Sequence, residues 1–203
     1  TNAIKVNAMN TGFFTEDLSD ETKTTFVASI NVSPLSAEPE KREVLCFDVN
    51  EQGLIAIGQT GSQDKEICVY TSQGEFLYGY TFNCTQSFCV EWDEQHVNIY
   101  FIRSDVIISL DSDGNILDIK AVQDTIDNNS YRNSLLSSTT RTVGNTTYLI
   151  RNDMGIFNWI ATSYSQIVTI DATGSESIIY DVNSMQLTKT IVTISLICVF
   201  VFV

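Results

Sequence analysis

Cys46-Phe-Asp-Val-Asn-Glu-Gln-Gly-Leu-Ile-Ala-Ile-Gly58 and the following Ile67-Cys-Val-Tyr-Thr-Ser-Gln-Gly-Glu-Phe-Leu77 carry the pattern that decides the fold. In each, a β-branched or aromatic run is broken by a polar turn containing glycine, which is the sequence form of a β-hairpin. Glycine supplies the positive φ that such turns need. The second stretch recurs as Ile107-Ile-Ser-Leu-Asp-Ser-Asp-Gly114-Asn-Ile-Leu117 and as Ile167-Val-Thr-Ile-Asp-Ala-Thr-Gly174. The first recurs 43 residues on, as Cys89-Val-Glu-Trp-Asp-Glu-Gln-His-Val-Asn-Ile-Tyr-Phe101, and more loosely as Thr142-Val-Gly-Asn-Thr-Thr-Tyr-Leu-Ile150. The link between hairpins repeats too, as Ile102-Arg-Ser-Asp105 and Ile150-Arg-Asn-Asp153.

Each unit reads strand, tight turn, strand, link, strand, glycine turn, strand. That is a four-stranded antiparallel meander of propeller-blade size, and such a unit buries both faces only by stacking on neighbours. The expected fold is therefore all-β: a partial β-propeller with units at 44–82, 87–121 and 137–182. Evenly spaced strands of a β-sandwich are the competing reading. Residues 47–57 and 67–77 resemble an NHL-type propeller repeat, whose second half runs I-x-V-[FY]-x-x-x-G-x-x-L. The resemblance is good over 44–82, fair over 87–121 and weak over 137–182. It implies a fold and carries no activity with it. Closed propellers have at least four blades, so three units imply an open edge, closed by residues 1–43, by further sequence or by a homodimer.

Around the repeats, residues 1–43 offer one strand, Thr25-Phe-Val-Ala-Ser-Ile-Asn-Val32. Residues 122–138 read as a short helix or ordered loop. The run from Lys189 to Val203 carries no charge after Lys189. It is expected to begin a transmembrane helix over 190–203, with a long buried strand as the alternative. The chain starts at Thr1 and stops inside this run, which suggests a piece of a longer protein.

The net charge of −14 argues against nucleic acid, because phosphate binding needs a basic surface. Five cysteines, at 46, 68, 84, 89 and 198, match no zinc or redox spacing. Cys84 and Cys89 are either free thiols or a disulfide of an oxidising compartment. His96 is the only histidine and takes the turn place that Gly53 holds in the first unit, so no catalytic base or zinc set is expected. Asp111-Ser-Asp-Gly-Asn115 resembles a calcium loop but lacks the closing glutamate, and a hairpin turn accounts for it. Glu91 and Asp93 repeat Asp48 and Asn50, which points to a structural role rather than glycoside hydrolysis. No catalytic, metal or cofactor residue is assigned.

The third unit carries its own insertion, Met154-Gly-Ile-Phe-Asn-Trp-Ile-Ala-Thr-Ser-Tyr164. It is an apolar lid, or an exposed surface for a partner or a bilayer formed by Met154, Ile156, Phe157, Trp159 and Ile160. Together these features describe a membrane-anchored, extracytoplasmic binding, sensing or scaffold domain with a protein or glycan ligand. A glycan hydrolase and a structural part of a membrane complex are the alternatives.

Overall fold

A computed structural model describes residues 9–61, 64–161 and 163–202. Among these residues fourteen strands form three antiparallel sheets. The first unit consists of β3 (Val44–Val49), β4 (Ile55–Thr60), β5 (Lys65–Tyr70) and β6 (Phe76–Phe82). The second is β7 (Phe88–Asp93), β8 (His96–Phe101), β9 (Val106–Leu110) and β10 (Ile116–Val122). The third is β11 (Thr140–Val143), β12 (Thr146–Arg151), β13 (Gln166–Ile170) and β14 (Glu176–Asp181). Each is a four-stranded meander in chain order. Two short strands before the repeats extend the first two sheets: β1 (Thr15–Asp17) pairs with β10, and β2 (Ser33–Pro34) with β6. Pro34 is tolerated because β2 is an edge strand.

Four hairpin loops share one construction. Their first residues are Asn50, Thr71, Asp111 and Asp171, and each accepts backbone N–H groups from two and four residues ahead through its side-chain oxygen. The fourth residues, Gly53, Gly74, Gly114 and Gly174, have φ of 79°, 83°, 84° and 82°. The calcium-like segment Asp111–Asn115 is one of these turns. His96 is not a turn residue: it opens β8 opposite Asp93, and Glu94 carries the positive φ of 53°. A two-residue loop there needs a left-handed residue one place after the strand, not three.

The first unit lies in the middle. One face packs with the second unit in a cluster that includes Ala56, Ile67, Val69, Val97, Ile99 and Phe101. The other packs with the third unit through Ile55, Ile57, Cys68, Tyr70, Tyr148, Ile150 and Ile167. Strand β3 touches both β7 and β11. On the second unit, the face turned away from the first is occupied by Phe13 with Tyr131 and Leu135 of α2 (Ile126–Ser137), packed on Tyr100 and Ile107.

Three expectations are corrected. The expected partial propeller gives way to three stacked antiparallel sheets that form no closed ring among the described residues, with Phe13 and α2 covering the face of the second unit turned away from the first. Thr25–Val32 is not a strand but mostly the helix α1 (Asp20–Ile30). Ser19 caps it through the Thr22 N–H at 3.2 Å, Asp20 and Glu21 suit the positive helix end, and Asn31 stops it at φ 44°. Its β-branched residues are overruled because Phe26, Val27 and Ile30 pack on the core shared by the first two units. The tail is helical from further back, as α3 (Asn183–Phe202), yet among the described residues no helix is long and apolar enough to cross a membrane. The first turns of α3 are polar and belong to the domain: Lys189 pairs with Glu43 at 2.7 Å. From Ile191 to Phe202 about 12 residues remain, a rise of roughly 18 Å against the roughly 30 Å of a hydrocarbon core.

The glycine turns give a paired prediction. A Cβ on Gly74 would lie 2.3 Å from the Ile179 carbonyl oxygen, whereas one on Gly174 would meet nothing within 4 Å. Gly174→Ala should therefore cost only the left-handed backbone term, about 1 kcal/mol. Gly74→Ala should cost at least about 2 kcal/mol, because the third sheet must also shift. Urea unfolding of both variants checks the difference; equal losses would remove the turn-to-sheet contact as the cause.

Candidate functional site

The first strands of the three units meet at one polar junction. Asp48 on β3 and Glu91 on β7 hold equivalent repeat positions, and Arg141 lies on β11. Arg141 Nε donates to Asp48 Oδ1 at 2.7 Å, and the Trp92 backbone N–H donates to Asp48 Oδ2 at 2.8 Å. The Trp92 indole N–H reaches the Asp48 carbonyl at 3.3 Å. The guanidinium also donates to Ser138 Oγ at 2.6 Å and lies over the Phe47 ring. One carboxylate thus joins the middle unit to both neighbours.

Glu91 is buried and accepts from the Tyr131 hydroxyl at 2.8 Å. Burial pushes its carboxyl above the usual range; hydrogen bonds from Thr11, Tyr131 and Asn98 offset part of this, and the charge of Asp48 adds to it. Asp93, also buried, accepts the Asn10 N–H at 2.7 Å. Hydrolysis by paired carboxylates needs one acid and one carboxylate free to face a substrate. Here the Asp48 carboxylate is held by Arg141 and the Trp92 backbone N–H, while that of Glu91 is held by Tyr131. The chemistry on offer is fastening and hydrogen bonding. Among the described residues no group of three His, Cys, Asp or Glu is placed to hold a metal ion. Cys46, Cys68, Cys84, Cys89 and Cys198 are all free thiols.

Beside the junction opens a cleft of about 530 Å³, framed by the β3–β4 and β7–β8 turns and lined by Asn50, Gln52, Trp92, Glu94 and Gln95 among others. Asn50 Nδ2 reaches the Glu94 carbonyl at 3.4 Å and so links the two turns. Sequence reasoning reached Asp48 and Glu91 through the repeat but attached no meaning to Trp92, Tyr131 or Arg141. Arg141 falls just before the third, weakest repeat copy, where alignment gives no register.

The insertion in the third unit forms a 3-10 helix, Gly155–Ile160. Its five candidate residues separate: Met154 is buried, Phe157 and Ile160 are half-buried, and Ile156 and Trp159 are 79% and 84% exposed. Both feet of the insertion are tied to the start of α3. The Asp153 N–H donates to Asn183 Oδ1 at 3.2 Å, and Gln186 Nε2 donates to the Ser163 carbonyl at 3.1 Å. Asn158 Oδ1 accepts the Met154 N–H at 2.7 Å and holds the turn closed. Two large apolar side chains therefore stand in solvent on a fixed support.

The chain matches no protein-family model and no curated protein sequence.

Two substitutions test the junction. Arg141→Met leaves Asp48 charged and short of its main partner, and should cost about 3 kcal/mol in urea unfolding. A loss below about 0.5 kcal/mol would mean that the pair fastens nothing. Glu91 has a raised folded-state pKa, so the favourable protonated form is fully present below the ordinary glutamate range, about pH 4, and is lost as pH rises through the raised value. Glu91→Gln should therefore gain stability relative to the parent at pH 7 and lose that advantage by about pH 4. A constant difference across this window would contradict the burial of the charge.

Proposed function

We infer that the protein is a binding or scaffold domain held against a lipid surface by the outer half of α3, with Ile156 and Trp159 beside the base of that helix. One observation carries this reading: Ile191, Val192, Leu196, Ile197 and Val199 are each 45–58% exposed. At 100° per residue they fall around the helix rather than along one stripe, and no charged residue interrupts them. A protein groove dries one face of a helix, whereas lipid hydrocarbon accepts apolar side chains on every side of an inserted end. Indole rings favour the same interface, with the apolar ring inward and the N–H toward water.

The electrostatics select the lipid. A domain with a net charge of −14 is repelled by anionic headgroups, so neutral bilayers are the favoured surface. Binding rather than catalysis suits the junction, whose carboxylates are committed to holding the units together. This reading keeps Met154 as an anchor inside the domain, and Phe157 and Ile160 as the support that keeps Ile156 and Trp159 in place.

Flotation with phosphatidylcholine vesicles tests it. The full chain should float, and the chain lacking residues 191–203 should stay in the dense fraction. Ile156→Ser with Trp159→Ser should lower the floating fraction several-fold, and replacing a third of the lipid by phosphatidylserine should lower it too. A full chain that never floats, or a truncated one that floats equally, would overturn the proposal.

A further inference from the structure

We propose that the cleft between the β3–β4 and β7–β8 turns binds a carbohydrate, either neutral or bearing amines. The cleft is independent of α3 and of the lipid reading. Its volume of about 530 Å³ falls within the roughly 300–1,000 Å³ of small-ligand sites. Its lining combines one indole, Trp92, with the amides of Gln52 and Gln95 and the carboxylates of Glu51 and Glu94. That mixture matches the two surfaces of a sugar ring. The C–H face packs on a flat aromatic ring. The hydroxyl edge, each group both donor and acceptor, pairs with amides that also do both and with carboxylates that accept.

The platform is held by the fold itself. The Trp92 backbone N–H and its indole N–H both bond to Asp48, and Asp48 is fixed by Arg141. Asn50 is held by its own turn, accepting from the Gln52 and Leu54 N–H groups, and its Nδ2 ties that turn to the Glu94 carbonyl. Pre-ordered groups lose little freedom when a ligand arrives. Trp92 and Asp48 sit on packed strands, and Glu51, Gln52, Glu94 and Gln95 on the two short turns that those strands hold.

Charge narrows the ligand class. Among the described residues no lysine or arginine lines this cleft, while Glu51 and Glu94 do; Asp48 also lines it but is paired with Arg141. Uronates, sulfated sugars and phosphosugars would meet the unpaired negative charges of Glu51 and Glu94 at short range. A neutral oligosaccharide is accepted, and an amino sugar is favoured by its ammonium groups, which are also attracted to the indole face.

Trp92 and Trp159 are the only tryptophans, so Trp159→Phe makes the cleft indole the sole fluorescent reporter. This variant is titrated with cellotetraose, N-acetylchitotetraose, glucosamine tetramer, tetragalacturonate and tetralysine. The expected result is a saturable change in Trp92 emission with at least one of the first three. Tetragalacturonate should respond at least tenfold more weakly. Calorimetry on the unmodified chain should give the same order, with Gln95→Ala and Glu51→Gln each weakening the best sugar several-fold while leaving the urea midpoint unchanged. Silence with all three sugars overturns the proposal. So does a response confined to tetralysine, which would make the cleft a site for basic peptide, or tighter binding of the galacturonate.

Discussion

The first unit is a sheet with no solvent face, and the rest of the architecture depends on burying it twice. Along β4, alternate residues point to opposite sides, so Ile55 and Ile57 join the core with the third unit while Ala56 joins the core with the second. Strand β5 divides in the same way, with Cys68 and Tyr70 on one side and Ile67 and Val69 on the other. Strands with apolar residues on both faces, as over Ile55–Ile57 and Ile67–Tyr70, have no stable place except between two sheets. Each fully buried Ile or Val contributes about 1.5–3 kcal/mol, so neither neighbour can be removed without exposing several such groups. The second unit is then finished on its far side by Phe13 and α2. That arrangement explains why the sheets stack around the first unit and do not run on into a ring.

Much of this was legible because turn chemistry is local. An Asn, Thr or Asp followed three places later by glycine fixes the loop through its own side chain and one left-handed residue, with little help from elsewhere. Gly53, Gly74, Gly114 and Gly174 therefore marked their hairpins correctly, and the meanders followed from the alternating strands between them. His96 shows the limit of the same logic. Aligning it with Gly53 assumed equal loop lengths, but the β7–β8 loop is two residues long and places its left-handed backbone at Glu94.

The illegible parts are those decided by packing at a distance. Thr25–Val32 has strand-like composition, and only its capping residues and its seat on the shared core make it helical. The order of the sheets was equally hidden, since nothing local states that Phe13, more than 80 residues from Tyr100, covers the second unit. The tail was misread for a related reason. Its apolar residues announce themselves in the sequence, but the ties of Asn183, Gln186 and Lys189 to the domain do not, and those ties take the helix's first turns out of any apolar span. The candidate site depended most on non-local contacts: Arg141 meets Asp48 across 93 residues, and Trp92 meets it across 44.

Asp48 is where the fold and the proposed binding surface come together. Its two carboxylate oxygens are divided, one toward the third unit through Arg141 and one toward the second through the Trp92 backbone. In an acidic chain a half-buried carboxylate is expensive unless it is paired, so the pairing dictates that an arginine stand on the third inner strand. Once that is satisfied, the Trp92 ring is fixed with no further demand on the sequence. The interaction that joins the sheets therefore also sets the aromatic wall of the cleft.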